Sequence, residues 1–294
     1  MSTPVPRFRG VMSPVLTPFN QDLTPSPSRF VKHCRWLLKQ EVGLAIFGTN
    51  SEANSLTVKE KLSLLEALLV AGLPAAKMVP GTGTCALPDT IELTRHAVEA
   101  GCAGVLMLPP FFYKGVSDEG LFRSFARVID AVADERLRIY LYHIPPMSQV
   151  PITLPLIERL LKAFPGIIAG VKDSSGDWNN TAAMLKEFQP QGFDVFAGTE
   201  TVLLKNMRGG GAGCITRHGQ REPDGDHATL QDVAGGQCRR PAGGAEQNPR
   251  HLPEGPDHSG DEGGDRGKIR RQGVGQRAAA AGRAQRCGAR TAHL

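Results

Sequence analysis

Aromatic side chains are missing from the last quarter of this 294-residue chain. All 17 Phe, Tyr and Trp residues lie before position 217, and the 78 residues from Arg217 to Leu294 contain none. That stretch sets six bulky aliphatics against 15 glycines and 12 arginines. Ordering a residue costs about 1–2 kcal/mol of backbone entropy, and a segment with so little to bury is expected to stay disordered. The expected organisation is one globular part, 1–216, and a low-complexity tail, 217–294.

Other shortages exclude whole classes of function. The six cysteines form no CxxC pair and no dense framework, which argues against a zinc site or a disulfide scaffold. Free thiols fit a reduced, cytoplasmic setting. A bilayer span needs about 20 apolar residues, and the best run, 64–76, falls short. The first 20 residues lack the charged start and apolar run of a signal peptide. The net charge is only +5, and the tail mixes 13 basic with 10 acidic residues. Arg239, Arg240, Arg270 and Arg271 therefore make a poor nucleic-acid surface. Neither a membrane nor a nucleic acid is an expected partner.

What the chain does have is alternation. Apolar runs of strand length at 10–14, 43–48, 77–81, 104–108, 138–143, 167–172, 194–198 and 211–216 are separated by amphipathic stretches. Thr57 with Glu60, and Asp89 with Glu92, read as capping boxes. Thr153 before Pro155 reads as another helix start. Seven of the eight runs lead into a helical pattern, the signature of a parallel sheet with right-handed crossovers. No GxGxxG follows the first run, so an open dinucleotide-binding sheet is disfavoured. The expected fold is α/β, a (β/α)8 TIM barrel.

Barrel chemistry sits at the carboxyl ends of strands. Those ends carry Thr49-Asn50-Ser51-Glu52, Phe111-Phe112-Tyr113, Tyr142-His143, Lys172-Asp173-Ser174 and Gly198-Thr199-Glu200. Lys172 closes an apolar strand between glycines. A desolvated lysine favours its neutral amine, which can attack a ketone; the resulting iminium is an electron sink for making or breaking carbon–carbon bonds. Tyr142, on the neighbouring strand end, is a candidate to carry the proton. A blander reading stands beside this one. A lysine at a strand end can simply snorkel to water, Tyr142 can be a packing residue, and Thr49–Ser51 can be only a turn. Backbone amides at such a turn also suit a carboxylate. His143 is expected to be structural, and the Phe111–Tyr113 run a hydrophobic lip.

Three segments in register resemble the dihydrodipicolinate synthase / N-acetylneuraminate lyase family of pyruvate-dependent class I aldolases. Gly48-Thr49-Asn50-Ser51-Glu52 is similar to its GTTGE loop, Tyr142-His143-Ile144-Pro145 to its YNxP segment, and Gly170 through Asp177 to its GxKxxSGD strand. The resemblance covers residues 7–216. It implies Lys172 as the Schiff-base lysine, Tyr142 as proton relay, and Thr49 and Asn50 as the holders of a keto-acid carboxylate. Ser174, Gly198, Glu200 and Ile215 follow as further substrate-binding candidates. No metal or cofactor is implied, because the lysine imine replaces one. The implied partner is a small 2-oxo acid, and the implied assembly a homodimer or homotetramer.

One departure narrows the substrate. Members that condense pyruvate with aspartate semialdehyde carry an arginine where this chain has Met147, and a tyrosine where Phe112 aligns. A second carboxylate left without a partner would cost several kcal/mol. Another 2-oxo acid is therefore expected over that reaction; the true synthase and a non-catalytic keto-acid-binding barrel are the alternatives.

The tail departs entirely. Thr216 to Pro223 can be written ACC CGC CAC GGC CAA CGT GAA CCC. Removing one C gives Thr-Ala-Thr-Ala-Asn-Val-Asn-Pro, which resembles the segment the family carries after its last strand. The expectation is a single-base frameshift near Thr216 that removes the eighth helix and the C-terminal helical region. Such a chain would expose apolar surface on its first and last strands and be impaired; the alternative is a genuine disordered extension.

Overall fold

The computed structural model describes residues 7–216. The tail, its disorder and the missing eighth helix lie outside them. The first strand, β1 (Gly10–Pro14), leads through helix α1 (Pro27–Lys39) to β2 (Gly43–Ala45). Helices α2 (Val58–Val70) and α3 (Leu87–Glu99) then precede β3 (Val105–Met107). Next come α4 (Asp118–Val132), β4 (Ile139–His143), the short α5 (Pro145–Ser148) and α6 (Leu154–Ala163). The described chain ends with β5 (Ile168–Asp173), α7 (Trp178–Phe188), β6 (Asp194–Ala197), α8 (Leu203–Arg208) and β7 (Gly213–Ile215).

The helix starts follow side-chain chemistry. Thr57 Oγ1 accepts the Glu60 amide while the Glu60 carboxylate accepts the Thr57 amide, so the first capping box forms as read. Thr153 Oγ1 likewise accepts from Leu156 N at the start of α6. The second expected box does not form. Helix α3 begins at Leu87, with Pro88 in its first turn and Asp89 already inside it. Proline pre-sets a helical φ there and needs no amide partner, so it fixes the start three residues early.

The seven strands form one parallel sheet in the order β2-β1-β7-β6-β5-β4-β3. Residues 78–82 close it between β2 and β3. Leu44 bridges Met78 and Gly81 bridges Leu106, both in parallel. Val79 N donates to Leu44 O and Leu106 N to Pro80 O. Pro80 faces β3 and has no amide to give, which accounts for an isolated bridge rather than a ladder on that side. The result is the expected TIM barrel, with eight strand positions.

Alternation along each strand separates two environments. Met12, Val79, Leu106, Tyr140, Tyr142, Phe196 and Ile215 fill the barrel. Outward residues such as Ile139, Leu141, Ile168 and Val171 pack against Val128, Leu156, Leu160 and Met184 of the helices. The outer faces of β1 and β7 are covered as well, against the expectation of an exposed patch. Val11, Val15 and Cys214 are fully buried, in one cluster with Phe30, Cys34 and Leu37 of α1 and Leu203 of α8. Among the described residues no helix is long and apolar enough to cross a membrane.

Candidate active site

Lys172 reaches the barrel interior through an irregularity in its strand. Ile139 pairs with Ile168, but the next residue, Tyr140, pairs with Gly170. Ala169 is thus an extra residue on β5, a β-bulge. Simple alternation from the outward Ile168 would turn Val171 inward and Lys172 toward the helices. With the bulge, Ile168 and Val171 both face the helices, and Lys172 stands beside the inward Tyr142, its register partner. Gly170 permits the close approach, since a Cβ there would lie 2.1 Å from Asp194 O.

The two side chains meet. Lys172 Nζ donates to Tyr142 Oη at 3.3 Å and lies 4.3 Å from the centre of its ring. Both residues are 4% exposed. Among the described residues no carboxylate pairs with this amine. On its other side Tyr142 Oη is 3.2 Å from Thr49 Oγ1. The three polar atoms form a chain from the amine to the β2 loop. Tyr142, Thr49, Gly48, Gly81, Gly83 and Leu108 line a small pocket at this end that opens to solvent.

Thr49 is held by a tight turn, Thr49–Ser51, whose first residue follows the extended Gly48. Thr17, which sequence reading missed, anchors the turn: its buried hydroxyl donates to Ser51 O at 2.8 Å. A threonine after a strand carries no charge or spacing cue that would have revealed this. The amides of Thr49 and Asn50 donate no hydrogen bond among the described residues. Asn50 itself is exposed, and its side chain makes no hydrogen bond to the Lys172–Tyr142–Thr49 chain.

The remaining candidates sit around the mouth. Ser174 N donates to His143 O, and Gly198 N donates to Asp173 O, each at 2.7 Å. Gly198 backs onto Ser174, where a Cβ would lie 2.1 Å from its Oγ. Glu200 accepts a hydrogen bond from Thr216 Oγ1 at 2.7 Å, and Ile215 is buried among the residues that fill the barrel. Asp173 points away from the amine. It accepts from Thr181 Oγ1, Asn180 Nδ2 and the Ser175 amide, and so fastens the end of β5 to α7.

His143 is structural, as expected. Its Nδ1 accepts the Ile152 amide at 3.0 Å, and burial holds its pKa below the ordinary imidazole range, opposed by the nearby Asp173 charge. Phe112 and Tyr113 form an exposed lip, ring against ring at right angles. Met147 is 64% exposed. The lysine nearest these loops, Lys114, donates to the backbone oxygens of Phe111 and Ser148. Among the described residues no group of three or more His, Cys, Asp or Glu could hold a metal.

The chain's similarity to known proteins agrees with this geometry. The model of the dihydrodipicolinate synthetase family matches residues 7–239, taking in the whole described part. An uncharacterized DapA-like lyase of Chloroflexus aurantiacus is 33% identical over 253 residues, 83% of this chain and 83% of that protein. The crystal structure of dihydrodipicolinate synthase from Agrobacterium tumefaciens superposes with a TM-score of 0.72 at 31% identity, covering 76% of this chain and 78% of that one. YagE, an E. coli prophage protein solved in complex with pyruvate, superposes with a TM-score of 0.71 at 27% identity, over 78% of this chain and 76% of its own.

Proposed function

Because the chain belongs to the dihydrodipicolinate synthetase family, we propose that it is a class I lyase whose Lys172 forms an imine with pyruvate or a related 2-oxo acid. The observation that carries this reading is the unbroken contact from Lys172 Nζ through Tyr142 Oη to Thr49 Oγ1. The amine's lone pair attacks the ketone carbon, and the carbonyl oxygen takes up a proton to give a carbinolamine. Tyr142 gives its proton to that oxygen and recovers the one the nitrogen sheds; a second phenol proton then goes to the departing hydroxyl, and Thr49 relays its replacement. Loss of the hydroxyl as water leaves the iminium, which stabilises a carbanion on the adjacent carbon. The amides of Thr49 and Asn50, which donate to no other group among the described residues, suit the keto-acid carboxylate. Catalysis then needs neither metal nor cofactor.

The second substrate lacks a carboxylate that the site must neutralise. Met147 occupies the position where an arginine would pair with one, and Lys114 is already committed to two backbone oxygens. Ser174 and Glu200 are the residues this reading assigns to the rest of that substrate. The relatives named dihydrodipicolinate synthase favour one second reading, condensation of pyruvate with aspartate semialdehyde.

Incubation with pyruvate and borohydride, followed by peptide mass analysis, tests the imine. The expected adduct lies on Lys172 and is lost in Lys172→Ala; an adduct elsewhere, or none, defeats the reading. Product formation from aspartate semialdehyde would then decide for the second reading over the first. The frameshift belongs to the same proposal. Restoring the frame near Thr216 is expected to raise turnover, whereas a natural gene encoding Arg217 to Leu294 in frame would refute that part.

A further inference from the structure

The bulge that turns Lys172 inward is held from below the barrel. Ala169, its extra residue, accepts a hydrogen bond on its carbonyl oxygen from Arg7 Nη1 at 2.9 Å. The same nitrogen reaches Gly192 O at 2.6 Å and Asp194 Oδ2 at 3.2 Å. Asp194 is 2% exposed and opens β6, and its backbone oxygen leaves no room for a side chain at Gly170. One guanidinium thus ties the irregular carbonyl of β5 to the residues that lead into β6.

We propose that Arg7 is a positioning residue for Lys172, holding the phase of β5 that presents the amine to Tyr142. Ala169 O faces β6, where the Gly170–Asp194 register supplies its ladder donor, and Arg7 adds a second, side-chain donor to the same oxygen. Its Nη1 joins that oxygen to Gly192 O and the Asp194 carboxylate at one point. Ala169 stands three residues before Lys172, about 10 Å along the strand. A shift or loss of the bulge would therefore be transmitted directly to the amine. Arg7 touches no reacting atom. This inference rests on the imine reading of Lys172.

Arg9 provides the control. Its Nη2 binds Oδ1 of the same Asp194 at 3.1 Å, with no bond to the bulge. Labelling of Lys172 by pyruvate and borohydride is followed over time in the full chain and in Arg7→Gln, Arg7→Lys and Arg9→Gln. A small misplacement of a reacting group is costly, so Arg7→Gln is expected to slow labelling at saturating pyruvate about tenfold. The half-saturating pyruvate concentration should stay within about twofold, as should both quantities in Arg9→Gln, because Arg9 touches the Asp194 carboxylate and not the Ala169 carbonyl. Arg7→Lys keeps the charge, but its shorter side chain does not carry a nitrogen to the place of Nη1, so it is expected to follow Arg7→Gln; it carries the comparison should Arg7→Gln not fold. Equal labelling rates in the Arg7 and Arg9 variants overturn the proposal. Absence of Lys172 labelling in the unaltered chain overturns the imine reading instead.

Discussion

Removing one oxygen atom tests the proposed chemistry with little disturbance to the fold. In Tyr142→Phe the buried ring remains beside the Lys172 side chain, while the contacts to Lys172 Nζ and Thr49 Oγ1, at 3.3 and 3.2 Å, disappear. Both are long for hydrogen bonds, and such a bond contributes about 0.5–1.5 kcal/mol net to stability. The variant should therefore melt close to the unaltered protein. Its chemistry should not stay close. A positioned proton carrier contributes about 10²–10⁴-fold, and the lower figure already corresponds to about 2.7 kcal/mol of barrier. Rapid-quench labelling with pyruvate and borohydride should show imine formation slowed at least that much. Thr49→Val should be slower by about tenfold, and the double variant no slower than Tyr142→Phe, because Thr49 acts through the phenol. Unchanged labelling in Tyr142→Phe would refute the relay.

Three further expectations concern the scaffold. The pKa of His143 is lowered in the folded state from an ordinary value of 6.5, so its contribution to stability is complete above that value and is lost as pH falls toward the folded pKa. Melting temperature should accordingly fall less steeply below pH 6.5 in His143→Gln, with His33, shifted the same way by burial, supplying the residual slope. Gly198→Ala would bring a methyl to 2.7 Å from Asp173 O as well as against Ser174 Oγ; overpacking of this kind costs about 1–3 kcal/mol. Both the melting point and the labelling rate should drop in that variant. Thr57→Ala, which opens the α2 capping box, should cost about 1 kcal/mol in a denaturant titration and leave labelling unaltered.

The barrel was legible because strand-length apolar runs and helix starts alternate so regularly, and the amine because Lys172 interrupts an apolar strand at its end. The geometry between elements was not legible. Nothing in Ile167 through Val171 signals that Ala169 is an extra residue, since bulges leave no period of their own in an apolar run. Arg7 and Asp194, 187 positions apart in sequence, meet only through closure of the barrel. A charged residue opening an apolar strand, with two arginines before the first strand, was the available hint. The start of α3 was misread because Asp89 and Glu92 have the right spacing, but Pro88 acts earlier. Asn50 shares a motif with Thr49, yet the tight turn sends the two side chains into different surroundings.

One residue of slack at position 169 has a consequence for anyone who transplants or trims this barrel. Deleting Ala169 would leave the phase of β5 unchanged, because Gly170, Val171 and Lys172 would then follow Ile168 in plain alternation with Lys172 still opposite Tyr142. Flattening the bulge with Ala169 still in the strand would instead turn Val171 into the lumen and the lysine against the apolar helix layer. A lysine grafted with this strand onto another barrel must therefore travel with the bulge intact or with the extra residue removed, because its orientation is encoded in the backbone pairing as much as in the side chain.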